Sequence, residues 1–198
     1  LGNAPIVTSS GRQFPVEIHY CEAHQLRNSI VQPTINVVLR VLKEQAGSIL
    51  VFLPGQREIS SVARGLADAL EHSAEPLQIS PLYGGLSLER QLQALLPAAG
   101  GKRKIVLSTN LAETSLTIEG ITVVVDSGLV REAAFDPATG MTRLATIRIS
   151  RASAEQRKGR AGRQGPGRCY RLWSEQQHER LVAHALPEIL QADLAPMA

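Results

Sequence analysis

Gln156-Arg157-Lys158-Gly159-Arg160-Ala161-Gly162-Arg163 is the stretch on which the reading of this chain turns. Two arginines three apart, Arg160 and Arg163, fall on one face of a helical turn. Gly159, Ala161 and Gly162 are small, so the backbone there can approach a partner closely. Two guanidinium forks aimed the same way suit an oxygen-rich anion, of which a triphosphate is the obvious example. An arginine delivered to a transferring phosphoryl group stabilises its developing charge. Spacing alone leaves two descriptions open, an anion site and a solvated basic helix.

Working outward, the charge around this stretch is uneven. The chain has 198 residues and a net charge of only +3. Between Arg143 and Arg171, however, there are nine Lys/Arg and a single acid, Glu155. Such a patch suits a phosphate-rich partner. Apolar residues at 43% and charged residues at 20% are ordinary for a globular domain large enough to bury a core. Two cysteines, Cys21 and Cys169, lie far apart in apparent strands, which argues for a reducing cytoplasmic setting and against a disulfide framework. No run of 18 apolar residues occurs, so no membrane partner is indicated. The five histidines show no metal-ligand spacing.

Short apolar runs alternate with helical patterns, which predicts βα units and a parallel sheet. Strands are expected at 48–53, 77–83, 104–108 and 121–126. A helix is expected from Pro33 to about Gln45. A second, over about 57–72, would bury Ile59, Val62, Ala63, Leu66 and Leu70 on one face. A third, over 87–96, would have Ser87 as its N-cap. Residues 130–149 read as a β-hairpin turning at Asp136-Pro137-Ala138-Thr139-Gly140. Lys102-Arg103-Lys104 reads as a solvated strand entrance. Trp173, ending an apolar strand pattern, reads as a core or domain-interface residue.

The motifs in order resemble the second motor domain of superfamily 2 helicases of the DEAH/RHA family. Gln156 to Arg163 matches Q-R-x-G-R-x-G-R, and Gly165-Pro166-Gly167-Arg168-Cys169-Tyr170-Arg171-Leu172 continues it. Phe52-Leu53-Pro54-Gly55-Gln56-Arg57-Glu58-Ile59 is similar to motif IV. Leu82-Tyr83-Gly84-Gly85-Leu86-Ser87 is similar to motif IVa. The stretch from Ser108 through Thr109, Asn110, Glu113 and Thr117 to Gly120 is similar to motif V. Four motifs in order span roughly residues 15–195. Overall similarity, not one diagnostic residue, points within the family to the bacterial HrpB-type branch.

The resemblance implies a RecA-like α/β fold of the P-loop NTPase kind, mainly a parallel sheet flanked by helices with an inserted β-hairpin. It implies an ATP-dependent RNA helicase that uses ATP and Mg²⁺. Arg160 and Arg163 would be arginine fingers, with Gln156 positioning the attacking water or a γ-phosphate oxygen. Thr117, Glu119, Gly162 and Leu95 would lie on the nucleotide side. Gly55, Arg57, Gly84, Gly85, Ser108, Thr109 and Asn110 would contact the backbone of single-stranded RNA. Glu113 reads as a residue that orders its loop, and the hairpin would lie near the RNA path.

Two positions depart from the family pattern. Glu119 stands where relatives usually carry Asp. Leu95 replaces an aromatic that stacks on adenine in several relatives, so base selectivity on this side should be weak.

No G-x-x-x-x-G-K-[ST] phosphate loop and no Asp-Glu-Ala-His stretch occur in the chain. It begins at Leu1 rather than Met, and reads as an excised fragment. Residues 1–22 would be a linker strand from a first motor domain, 23–175 the second motor domain, and 176–198 the start of a truncated winged-helix domain. Two rivals remain: a non-catalytic RNA-binding or adaptor module, and a DNA translocase of the same superfamily. Gln156, Arg160 and Arg163 at this spacing argue against the first, because a pure binder needs none of them.

Overall fold

A strand with a continuous apolar run is buried on both faces, and the three strands that carry such runs, at 49–52, 105–107 and 123–125, lie side by side in one sheet. The computed structural model describes residues 14–21, 29–73, 75–113, 118–136 and 141–185. In chain order the elements are β1 (Val16–Tyr20), α1 (Val31–Glu44), β2 (Ser48–Phe52), α2 (Gln56–Leu70), β3 (Leu77–Leu82), α3 (Leu88–Leu95), β4 (Arg103–Ser108), β5 (Ile121–Asp126), β6 (Leu129–Asp136), β7 (Met141–Arg148), α4 (Arg151–Gly159), β8 (Gly167–Arg171) and α5 (Glu175–Glu179). The main sheet has the order β1-β8-β5-β2-β4-β3, and all its pairings are parallel. β6 and β7 form a separate antiparallel hairpin. This is the expected α/β architecture, a RecA-like domain with an inserted hairpin. The hairpin's turn at 137–140, the expected linker at 1–13 and the expected winged-helix residues from 186 onward lie outside the described residues.

Alternation within the strands divides the core in two. Ile49, Val51, Ile105, Leu107, Val123 and Val125 face α1 and α2, where Val38, Val41, Ile59, Val62 and Leu66 meet them. Leu50, Phe52, Val106, Val124 and Cys169 face the other way, towards Ala94 of α3, Ala112, Ile118 and Ala161. Burial pushes the Cys169 thiol up to about 12, so it stays protonated as an inert core residue. A third small cluster, Val130, Ile149, Ala154 and Trp173, packs the hairpin's base against α4. Gly128, at φ 71, turns the chain from β5 into the hairpin, and a Cβ there would meet the Trp173 ring at 2.7 Å.

The six strands end in register. Leu82, Ser108, Phe52, Asp126, Arg171 and Tyr20 are the last residues of β3, β4, β2, β5, β8 and β1, and each pairs with the next across the sheet. Paired residues of neighbouring strands share a face. The carboxyl edge therefore presents one row of side chains, polar towards β8, on the face that carries Phe52 and its cluster.

Two expectations change in detail. α1 starts two residues before Pro33, which sits in the first turn, where its missing N–H is harmless. Of Lys102-Arg103-Lys104, read as a solvated entrance, Lys102 is exposed but the other two are not. Lys104 is 1% exposed, and its ammonium donates to the carbonyls of Gln93 (3.1 Å), Ala94 (2.8 Å) and Leu96 (2.5 Å). Arg103 donates to the carbonyls of Gly47 and Leu42. These cations satisfy helix-terminal carbonyls that have no partner within the helix.

Candidate functional site

α4 gives the charged residues of the opening stretch their positions. Ser150 caps the helix, accepting from the N–H of Ser153 at 3.1 Å. Its first N–H groups, on Arg151 and Ala152, donate to the carbonyls of Val182 and Ala183. The helix stops at Gly159, a poor helix former. Shorter i→i−3 bonds carry the turn on through Arg160, Ala161 and Gly162. Arg160 is thus the C-cap and Arg163 lies in the bend beyond it, where a continuing helical face was expected.

Ser153, Arg157 and Arg160 stand at i, i+4 and i+7, one stripe of the helix, and all three bind Glu113. The Ser153 hydroxyl donates to Glu113 Oε1, and Arg157 Nε donates to Oε2 at 2.9 Å. The Arg160 guanidinium donates to the Glu113 carbonyl. Glu113 closes the 3-10 turn Asn110–Glu113, which leaves the end of β4 directly after Thr109.

Arg157 is the best-connected residue of the site and is 1% exposed. Its Nη1 donates to Asp126 Oδ1 at 2.9 Å and to the Leu129 carbonyl at 3.2 Å. Its guanidinium carbon lies 4.9 Å from the centre of the Phe52 ring. Burial opposes its charge, but the Asp126 and Glu113 carboxylates outweigh burial and raise its pKa. Asp126 Oδ1 also accepts from the N–H of Gly128 at 2.8 Å, so one oxygen fixes both the helix and the turn into the hairpin.

Arg171 repeats the arrangement in reverse, reaching from the sheet up to the helix. It donates to Glu155 Oε1 at 2.7 Å and to the Tyr20 hydroxyl at 2.9 Å, and its guanidinium carbon lies 5.5 Å from the centre of the Tyr20 ring and 5.6 Å from that of Trp173.

The expected site residues fall into two groups. Along the carboxyl edge lie Gly55, Arg57, Gly84, Gly85, Ser108, Thr109 and Asn110. Asn110, Arg57, Gly84 and Gly85 are exposed there and Thr109 is half-buried. A Cβ on Gly84 would meet nothing. Ser108 lies below this surface, fully buried, with its carbonyl accepting from the N–H of Leu53. Gly55 is buried too: a Cβ there would meet the guanidinium of Arg131, which reaches from β6 to Glu58 at 3.3 Å. That ion pair pins the hairpin's base to the first turn of α2.

The second group lies over the α3–α4 face of the sheet, reaching to its amino edge. Gln156 and Arg163 are exposed and Arg160 is half-buried. Burial and the nearby Arg163 lower the pKa of Arg160, against the pull of Glu113. The two guanidinium groups therefore share one region. Leu95 is half-buried against the cluster that holds Ile118 and Ala161. Glu119 is exposed, next to Gly120, whose N–H donates to the Gln164 side chain at 2.8 Å. Gly162 is buried, and a Cβ there would meet the Phe14 carbonyl at 2.6 Å, so its missing side chain makes room for the chain entering β1. Thr117 lies outside the described residues.

Several residues that shape this site were not expected from the sequence. Asp126 was signalled only as the one acid ending an otherwise apolar strand. Arg157 and Arg171 were counted into a basic patch, yet both are buried. Lys158 pairs with Glu155, and Arg168 pairs with Glu17 at 3.0 Å. At least four of the nine cations between Arg143 and Arg171 are thus matched by the chain's own carboxylates. Among the described residues no three His, Cys, Asp or Glu side chains converge as a metal site, and no helix is long and apolar enough to cross a membrane.

The chain is a parallel α/β domain of RecA-like architecture, with two arginines at the end of a helix braced on its sheet. Comparison with known proteins gives the same class. The helicase conserved C-terminal domain family matches residues 33–165. The ATP-dependent RNA helicase HrpB of Escherichia coli (strain K12) is 49% identical over 197 residues, 98% of this chain and 24% of that protein. The pre-mRNA-splicing factor ATP-dependent RNA helicase prp22 of Schizosaccharomyces pombe is 43% identical over 96% of this chain and 17% of its own. A crystal structure of the Escherichia coli DEAH/RHA helicase HrpB superposes with a TM-score of 0.90 at 47% identity, covering 100% of this chain and 25% of that one. The chain belongs to the helicase C-terminal domain family, as the C-terminal domain of a DEAH-type helicase. It spans about a quarter or less of the length of these relatives.

Removing Arg157 leaves the buried Asp126 carboxylate without a cation, and removing Asp126 leaves the buried guanidinium with Glu113 as its one acidic partner among the described residues. Arg157→Ala and Asp126→Ala should each lower the unfolding free energy by about 3–5 kcal/mol. The double variant should lose about 1–3 kcal/mol less than the sum. Urea unfolding of the four proteins measures this, and strict additivity would show that the pair does not interact.

Proposed function

We propose that this chain is the second motor domain of an ATP-dependent RNA helicase of DEAH/RHA type. It works with a phosphate-loop domain elsewhere in the same protein and with a winged-helix domain after it. The observation that carries this reading is the placement of Arg160 and Arg163. They share one region beside an exposed Gln156, on a helix end braced by the buried Arg157. Two forked cations suit a polyphosphate, and ATP supplies the transferable phosphoryl group when it is bound, with Mg²⁺ neutralising its charge.

In this reading Arg160 and Arg163 stabilise charge that develops on the transferring group, and Gln156 orients the attacking water. Glu119 and Thr117 reach the ribose and the waters of Mg²⁺, which carboxylates of the phosphate-loop domain hold. Leu95 offers the base an apolar contact without a ring. Gly162 lets the backbone of this turn approach closely. Thr109, Asn110 and the open Gly84-Gly85 turn grip the sugar-phosphate backbone of single-stranded RNA, with Arg57 adding charge and Gly55 and Ser108 shaping the edge. Closing and opening of the two motor domains then becomes stepping along the strand. The 198 residues alone do not hydrolyse ATP on this reading, because the phosphate-loop side of the site lies elsewhere. The reading places the protein in the cytoplasm.

In the full-length protein Arg163→Ala should lower kcat by about 10³–10⁵-fold, roughly 4–7 kcal/mol of barrier, with the thermal midpoint unchanged. Arg160→Ala should lower kcat alike, with a small fall in midpoint because it also removes the bond to the Glu113 carbonyl. Steady-state ATPase with calorimetry tests this. Near-normal kcat with a lowered midpoint would make the arginines structural and end this reading.

Thr109→Ala should weaken RNA binding several-fold, the worth of one neutral hydrogen bond at about 0.5–1.5 kcal/mol, and leave basal ATPase alone. Backbone contacts carry no base information, so unrelated RNA strands should lose equally, with little change in salt dependence. Anisotropy titrations of several RNA strands and a DNA strand, at two salt concentrations, measure it. Unchanged affinity, or a loss confined to one sequence, would place Thr109 away from the backbone.

A further inference from the structure

α3 is held to the sheet by very little of its own surface. Of its eight residues only Ala94 is buried, while Leu88 and Leu92 are 71% and 51% exposed. At its start Ser87 accepts from the N–H of Arg90, and the Gln91 side chain donates to the Leu86 carbonyl. Both bonds tie the helix only to its own leading turn. A helix with so few buried apolar contacts is set in height and rotation by other bonds.

Those bonds come from the sheet, at the far end. Lys104 is the second residue of β4 and lies on the same face as Val106, towards α3. An ammonium has three donors, and here they go to the carbonyls of Gln93, Ala94 and Leu96. The last carbonyls of a helix have no partner within it, so one buried cation takes three of them. Ala94 and Leu96 flank Leu95, whose backbone is thereby fixed on both sides. Leu95 is half-buried against the cluster that holds Ala161, the residue between Arg160 and Gly162. The carboxyl end of α3 therefore lies on the side of the arginine turn.

We infer that Lys104 is a positioning residue for the nucleotide base: it fixes the carboxyl end of α3, and with it the distance of Leu95 from the base. The inference rests on the function proposed above, in which Leu95 contacts the base, and adds the residue that sets this contact. Leu95 has no ring to stack, so its attraction to the base depends on close approach. A gap of about 0.5–1 Å forfeits a quarter to a half of a dispersion contact. Lys104 touches neither the nucleotide nor the arginines and acts through α3 alone.

The test is equilibrium binding of ADP, and of ribose 5′-diphosphate, which lacks the base, to the full-length protein with Mg²⁺. Lys104→Met keeps the length of the side chain and removes its charge and donors. ADP affinity should fall by about 3–5-fold, roughly what one buried methylene of apolar contact is worth. Ribose 5′-diphosphate should bind as it does to the wild type. Leu95→Ala should show the same selective loss. The double variant should lose little more than either single one, because both changes remove one contact.

Equal loss for the two ligands would make Lys104 a merely structural residue and overturn the inference. Unchanged ADP affinity in Lys104→Met would overturn it, and so would additive losses in the double variant, which would mean two separate routes. If Lys104→Met does not fold, Lys104→Arg decides. A longer planar fork keeps the charge but cannot aim its donors at the same three carbonyls, so a selective loss for ADP is again expected. A loss shared by both ligands, or none, would overturn the inference there too. A Leu95→Ala protein that keeps the wild-type preference for ADP would instead remove the base contact from the proposed function, and the inference with it. That variant leaves Lys104 intact, so the two failures are told apart.

Discussion

Arg157 lies between two carboxylates inside the protein, and the arrangement of the functional face depends on that contact. Its partners come from three places in the chain. Asp126 ends a central strand, Glu113 ends the turn after β4, and the Leu129 carbonyl opens the hairpin. A buried guanidinium held this way adds little net stability, because desolvating each charge costs several kcal/mol that the pairing must offset. What it supplies is direction. Charge-assisted bonds to two separate carboxylates fix a planar group in angle as well as distance. A helix anchored at Arg157 therefore has little freedom in where Arg160 and the following bend come to lie.

The flush carboxyl edge makes that anchor possible. Because all six strands stop in one register row, Phe52 and Asp126 stand side by side, and α4 can set an arginine on the ring and the carboxylate together. Arg171, in the same row, binds Glu155 of α4 from below. One ion pair runs from helix to sheet and the other from sheet to helix. The hairpin is tied in at the same level, through Gly128 on Asp126 and Arg131 on Glu58. The row joins the hairpin, the helix and the loop after β4 into a single supported surface.

The parts of this surface that follow from local chemistry were legible in the sequence, and the parts that follow from distant pairing were not. Continuous apolar runs mark β2, β4 and β5 because buried parallel strands need no polar face. Ser87 announces the start of α3 by the same hydrogen bond it makes in the fold. Arg157 gave no such sign. Its carboxylate partners lie 31 and 44 residues away, and nothing local distinguishes it from its exposed neighbours. Lys104 misled for the same reason: three charges in a row read as solvated, whereas the carbonyls that bury the ammonium belong to the helix before it. Resemblance to helicases named Arg160 and Arg163, but only the fold places Glu113 beneath them.

On the function proposed, this braced helix end presents its arginines to charge that develops during phosphoryl transfer. An interaction of that kind is stronger in the transition state than in the ground state. The direct measurement is the affinity of the full-length protein for ADP, and for ADP with aluminium fluoride, in the wild type and in Arg163→Lys. ADP affinity should hardly change, and affinity for the transition-state mimic should fall by about 10²-fold or more. Equal losses for both ligands, or none for either, would contradict it.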